Sequence, residues 1–136
     1  MRSLKRYHAM NVTVKPIQVA IADDSDVIRA RLMQKLSQLE GIKMAWQAQN
    51  AAEALAAFQQ LKPEVAILDI QMPGGCGIDV LAHIKKESPH TTVIMLTNYS
   101  LPPFRKCCLQ AGADYFFDKS TEFEKVFEAV RLKAAW

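Results

Sequence analysis

Asp23, Asp24, Asp69, Thr97 and Lys119 are the residues of this 136-residue chain whose types and spacing suggest chemistry. Asp23 and Asp24 close one apolar run, Asp69 closes another, Thr97 ends a third, and Lys119 follows a short aromatic one. Singly, each has a plain explanation, because loop acids are common and a lysine after a strand is usually a surface charge. Together they offer three carboxylates, a hydroxyl and an ammonium. Three carboxylates within a few ångströms repel one another, and a divalent cation relieves that repulsion. All-oxygen donors suit a hard ion, and Mg²⁺ in particular keeps several waters and pairs with phosphate. A carboxylate can also attack phosphorus to give an aspartyl phosphate. Phosphoryl transfer asks chiefly for positioning and for neutralisation of the equatorial oxygens. A metal, the Lys119 ammonium and the Thr97 hydroxyl can share that work.

Such a site forms only if distant parts of the chain are delivered to one place. Short apolar runs alternate with longer amphipathic stretches. Strands are expected at 17–22, 43–49, 65–70, 92–96 and 115–117, and helices at 26–39, 51–61, 78–86, 102–111 and 121–134. Gly41 is expected to stop the first helix and Pro63 the second. Pro102 or Pro103 is tolerated in the first turn of the fourth, and Thr121 with Glu124 fits a capping box for the fifth. Pro73-Gly74-Gly75 reads as a loop. Runs that are apolar on both faces imply a parallel sheet covered on each side by helices. Right-handed crossovers then give an α/β doubly wound (βα)5 three-layer sandwich of flavodoxin-like type, with a five-stranded parallel sheet. Ligands bind such a sheet at the carboxyl ends of the strands, where the strand order reverses. Four strands bring the five residues above to that edge.

The segments Ile21-Ala22-Asp23-Asp24-Ser25, Leu68-Asp69-Ile70-Gln71-Met72-Pro73, Leu96-Thr97 and Phe117-Asp118-Lys119 resemble the receiver domain of bacterial two-component response regulators. The resemblance covers residues 16–134. It implies that Asp69 is the phosphoacceptor, and that Asp24, Asp69 and the Gln71 backbone carbonyl bind Mg²⁺ directly, with Asp23 acting through water. It implies that Thr97 and Lys119 contact the phosphoryl oxygens. Phe116 would be the aromatic that turns inward when Thr97 moves, biasing a surface made by the fourth helix, fifth strand and fifth helix. The implied partners are a sensor histidine kinase or phosphotransfer protein and a downstream protein, with a homodimer through that surface as a further possibility. In three places the chain departs from the common pattern: Ser120 replaces a proline after Lys119, and Asn98 and Tyr99 follow the threonine. These positions bear on phosphate lifetime.

Four of the 17 basic residues and none of the 14 acidic ones lie in residues 1–15, which leaves 13 against 14 for the rest. Residues 1–15 are expected to be a disordered basic leader and residues 16–136 the receiver domain. No stretch approaches the roughly 18 apolar residues of a membrane span, and residues 1–15 lack the apolar core of a secretory signal. Cys76, Cys107 and Cys108 fit no zinc spacing and are expected to be reduced thiols of a cytoplasmic protein. No DNA-binding segment follows the fifth helix, so the expected form is a single-domain regulator acting on a partner. Competing readings are a Mg²⁺-dependent phosphatase of the haloacid-dehalogenase type, a flavodoxin-like cofactor binder and a phosphorylation-independent interaction module. The phosphatase would carry an acid where Gln71 stands. Asp23-Asp24 would repel a cofactor phosphate. The complete set of acids, threonine and lysine speaks against the third. His83, His90 and Asp118 are expected to be surface residues.

Overall fold

A computed structural model describes residues 15–134; the proposed leader thus lies outside the described residues, apart from Lys15. Five parallel strands, β1 (Ile17–Ala22), β2 (Ile42–Ala48), β3 (Val65–Leu68), β4 (Thr92–Thr97) and β5 (Tyr115–Asp118), form one sheet. Its order is β2-β1-β3-β4-β5. The helices are α1 (Asp26–Leu36), α2 (Ala51–Gln60), α3 (Gly77–Glu87), α4 (Pro102–Gln110) and α5 (Lys125–Ala134). The chain steps outward from β1 to β2, then crosses back to β3 and continues the other way. The order therefore reverses between β1 and β3, and the carboxyl ends of those two strands flank the crevice where such sheets bind ligands.

Side-chain alternation divides the core between the two faces of the sheet. Val19, Ile21, Ile67 and Leu96 pack with Leu32 of α1 and Val130 of α5. Ala22, Ala66, Leu68 and Met95 pack with Phe58 of α2 and Ile84 of α3 on the other face. All four residues of β3 are buried, as a central strand covered on both sides requires. Phe116 and Phe117 alternate as expected, with Phe116 buried on the α2–α4 face and Phe117 against the α1–α5 face. Cys108 is buried and Cys107 exposed on α4. Among the described residues no helix is long and apolar enough to cross a membrane.

Element ends account for the differences from the sequence reading. α1 stops at Leu36 rather than at residue 39. Beyond it, Gln38 and Leu39 donate to the carbonyls of Lys35 and Leu36, three residues back, so the last turn tightens out of the α-helix. β3 ends at Leu68, which leaves Asp69 just past the strand. The expected loop at 73–75 is a small hairpin, with Gln71 and Met72 antiparallel to Cys76 and Gly75. α5 begins at Lys125 rather than at Thr121. The Thr121–Glu124 capping box does not form, because the Thr121 N–H donates to the Asp118 carboxylate instead, at 3.2 Å.

Candidate functional site

Backbone bonds splice the acids into the sheet edge. The Asp23 N–H donates to the Ala48 carbonyl and the Asp69 N–H to the Ala22 carbonyl, each at 3.0 Å. With Ala22 in register beside Leu68, the residues that follow must converge. Asp23, Asp24 and Asp69 each present a carboxylate oxygen within 4.8 Å of the other two. Asp23 and Asp69 are buried, whereas Asp24 is exposed. The first helix helps to aim the pair. Ser25 N-caps α1 by accepting from the Ile28 N–H at 3.2 Å, and its own N–H donates to Asp23 Oδ1 at 2.9 Å. Arg29 of α1 donates to the Asp23 carbonyl at 2.6 Å and pairs with Asp26.

Lys119 reaches in from the end of β5. Its Nζ lies 2.8 Å from Asp23 Oδ2 and 2.9 Å from Asp69 Oδ2. Asp69 Oδ1 accepts from the Ile70 N–H at 2.7 Å. Burial, the largest influence on Asp23, raises its pKa above the ordinary 3.8, although the Lys119 hydrogen bond pulls the other way. Burial works against the charge on Lys119, but the hydrogen bonds it donates to Asp23 and Asp69, with their charges, outweigh it and its pKa rises above 10.5. One ammonium thus serves two carboxylates. Counting Asp24, the cluster carries three formal negative charges and one positive, a deficit that a divalent cation fits. The donors are all oxygen, and one acid is open to solvent, where a hydrated ion such as Mg²⁺ could enter.

Thr97 is fully buried at the end of β4, on the far side of β3 from β1. Its Oγ1 accepts from the Tyr99 N–H at 3.0 Å, which leaves the hydroxyl proton available. Its carbonyl accepts from the Lys119 N–H at 2.9 Å. Phe116, the expected switch aromatic, has its ring inward. It is already only 4% exposed, beneath the Arg105 guanidinium at 5.5 Å from the ring centroid. The Gln71 side chain is exposed, and its backbone belongs to the hairpin that follows Asp69.

Two residues near the site escaped the sequence reading. Gly77, the first residue of α3, donates its N–H to the Ile70 carbonyl at 2.5 Å. A Cβ there would stand 1.7 Å from the Asp69 carbonyl oxygen. The helix start is thus pressed against the backbone of Asp69 itself. A glycine immediately before an apolar helix was the available signal, obscured by Gly74 and Gly75. Asp118, expected to be a plain surface acid, accepts from the hydroxyls of Ser100 and Ser120, each at 2.5 Å. It also accepts from the N–H groups of Ser120 and Thr121.

These hydrogen bonds, that from Ser100 first, hold the Asp118 pKa far below 3.8. A depressed carboxyl pKa contributes stability above the unfolded value, and the contribution is lost as pH falls through the folded one. The stability advantage of the wild type over Asp118→Asn is therefore expected at neutral pH and shrinks below about pH 4. Urea unfolding of both proteins across acid pH checks this; an advantage that stays constant with pH contradicts it.

The same fold recurs in solved receiver domains. A CheY-like receiver domain protein from Methanospirillum hungatei superposes with a TM-score of 0.80 at 28% identity, over 88% of this chain and 94% of that one. The response regulator domain of Thermotoga maritima CheB gives 0.76 at 29% identity, over 88% and 94%. Sequence comparison agrees: the response regulator receiver domain model matches residues 19–131, and the chain belongs to that family. Response regulator GacA of Pseudomonas viridiflava is 30% identical over 116 residues, which are 85% of this chain and 54% of that protein. The chain spans about half the length of the curated relatives it matches. Receiver domains are phosphoacceptor signalling modules of two-component systems, and generally bind Mg²⁺ at an acidic pocket.

Proposed function

We propose that Asp69 accepts a phosphoryl group from the phosphohistidine of a sensor kinase or phosphotransfer protein. The observation that carries this reading is the pairing of Asp69 with Lys119 at 2.9 Å, beside two further acids whose charge Lys119 cannot balance. In the transfer, a carboxylate oxygen of Asp69 forms the new O–P bond as the N–P bond breaks, and the imidazole leaves with the electron pair and takes up a proton. Asp24, Asp69 and the Gln71 carbonyl would hold Mg²⁺, which neutralises charge on the phosphoryl oxygens when bound. Asp23, with one oxygen on the Ser25 N–H and the other on Lys119, suits contact through water. Lys119 exchanges part of its contact with Asp69 for a phosphoryl oxygen. The Thr97 hydroxyl donates to another, and moving to do so draws on its loop. Phe116 is already inward, so it serves as the packed position against which that loop shifts.

The signal then passes through the face formed by α4, β5 and α5, to a partner protein, a second copy, or a domain joined to this one. Leu101, just before α4, and Pro102 and Leu109 on it leave apolar surface exposed for such contact. Incubation with a small acyl phosphate and Mg²⁺, followed by intact mass, tests the reading. The expected result is a one-phosphoryl gain that chelation with EDTA suppresses by at least about tenfold. Equal labelling with and without the metal would count against the acidic cluster as its site.

A further inference from the structure

We infer that the Asp118–Ser100 contact is a latch that holds the Thr97 loop in its unmodified position, which makes Asp118 a positioning residue for both Thr97 and Lys119. The inference rests on the phosphoacceptor reading of Asp69 for its consequence, but its geometry stands apart from it. Residues 98–101 lead from β4 to α4 and follow Thr97 directly. Residues 119–124 lead from β5 to α5 and begin with Lys119. Among the described hydrogen bonds, two tie residues 97–101 to residues 118–124. One is the backbone bond from Lys119 to Thr97 that extends the sheet. The other is the Ser100 hydroxyl on Asp118 Oδ2 at 2.5 Å.

The carboxylate divides its two oxygens between the segments. Oδ2 takes Ser100, while Oδ1 takes the Ser120 hydroxyl, the Ser120 N–H at 2.8 Å and the Thr121 N–H at 3.2 Å. A second ring closes the turn from outside: the Asp118 N–H donates to Glu122 Oε1 at 3.0 Å, and the Glu122 N–H donates back to the Asp118 carbonyl at 2.8 Å. The Lys119 turn is therefore held several times over, whereas the Thr97 loop is held through Ser100 by one charge-assisted bond. Hydrogen bonds to an ionised acceptor are the stronger kind. Ser120 is the residue that lets Asp118 do this. A proline at that position would lack both the N–H and the hydroxyl that orient Oδ1.

Thr97 accepts from the Tyr99 N–H at 3.0 Å, so its hydroxyl and the chain two residues on move as a unit. Displacing Thr97 toward a phosphoryl group on Asp69 strains the Ser100 bond next in line. Breaking that bond in advance raises the population of the displaced loop.

The test uses the full chain as wild type, Ser100→Ala, Ser100→Thr, Asp118→Ala and the Ser100→Ala/Asp118→Ala double variant. Hydrogen exchange without phosphodonor reads the latch itself. The Tyr99 amide, which donates to Thr97 Oγ1, is expected to exchange roughly fivefold faster in either alanine variant, about the worth of one net hydrogen bond, and no faster than that in the double variant. Ser100→Thr, which keeps the hydroxyl, is expected to restore the wild-type rate. Labelling by acetyl phosphate with Mg²⁺ reads the consequence: Ser100→Ala is expected to label roughly fivefold faster at unchanged final extent. Unchanged exchange in Ser100→Ala, or effects that add in the double variant, overturns the latch. Faster exchange with an unchanged labelling rate overturns its control of Thr97. A wild type that takes no label defeats the phosphoacceptor reading instead, and the exchange data still decide whether the latch exists.

Discussion

Asp69→Asn is expected to abolish labelling by a small phosphodonor, a loss of about two orders of magnitude or more. An amide oxygen is a far poorer nucleophile toward phosphorus than a carboxylate, and neither neighbouring acid stands in the same position. Both Asp23 oxygens are engaged, one by the Ser25 N–H and the other by Lys119. Asp24 is exposed and is not among the partners of Lys119. The variant should nonetheless fold. It removes one of two carboxylates competing for a single ammonium, and the amide oxygen can still accept from the Ile70 N–H, so stability should change by no more than about 1 kcal/mol. Phosphoryl incorporation by intact mass, with thermal unfolding as the control for folding, checks both halves. A labelled variant contradicts the assignment, and an unfolded one contradicts the expected stability.

Gly77→Ala should have the largest effect on stability. The added Cβ would lie 1.7 Å from the Asp69 carbonyl oxygen and 2.8 Å from its carbonyl carbon. Those atoms are backbone and cannot swing aside as a side-chain tip could. Either α3 must withdraw from the sheet edge or Asp69 must shift, so the cost is expected at about 3–5 kcal/mol. Gly74→Ala is the useful comparison. Gly74 has a φ of 75° with nothing within 4 Å of an added Cβ, so only the left-handed backbone is penalised, by about 1–2 kcal/mol. Urea unfolding of the two variants separates collision from conformational strain. Equal costs would mean that α3 does not rest on Asp69 as described.

Much of this was legible in the sequence because strand ends are well marked. The runs expected at 17–22, 65–70 and 92–96 are largely apolar, and Asp23, Asp69 and Thr97 stand at their ends. Parallel order then forces Asp23, Asp69 and Thr97 to one edge, and Lys119 follows from the same rule applied to β5. The local readings failed where a tertiary partner outcompeted a local one. Thr121 had the right spacing to cap a helix, but Asp118 claimed its N–H and α5 began four residues later. Asp118 was read as surface because nothing in its neighbourhood announces a bond to Ser100, 18 residues away. Gly77 went unread beside Gly74 and Gly75, since a close backbone approach leaves no mark on composition. The direction of the Phe116 ring was likewise illegible: alternation places it on one face but does not say that Arg105 and α4 already enclose it.

The most direct test of the phosphoacceptor assignment is chemical location of the phosphoryl group. The wild-type protein is labelled with a small acyl phosphate in the presence of Mg²⁺, and the mixed anhydride is reduced with borohydride, which converts a phosphorylated aspartate to homoserine. Peptide mass mapping then finds the converted residue. Homoserine at position 69 and at no other acid is the predicted result; conversion at Asp23 or Asp24, or phosphate retained on a serine, threonine or histidine after reduction, would contradict it.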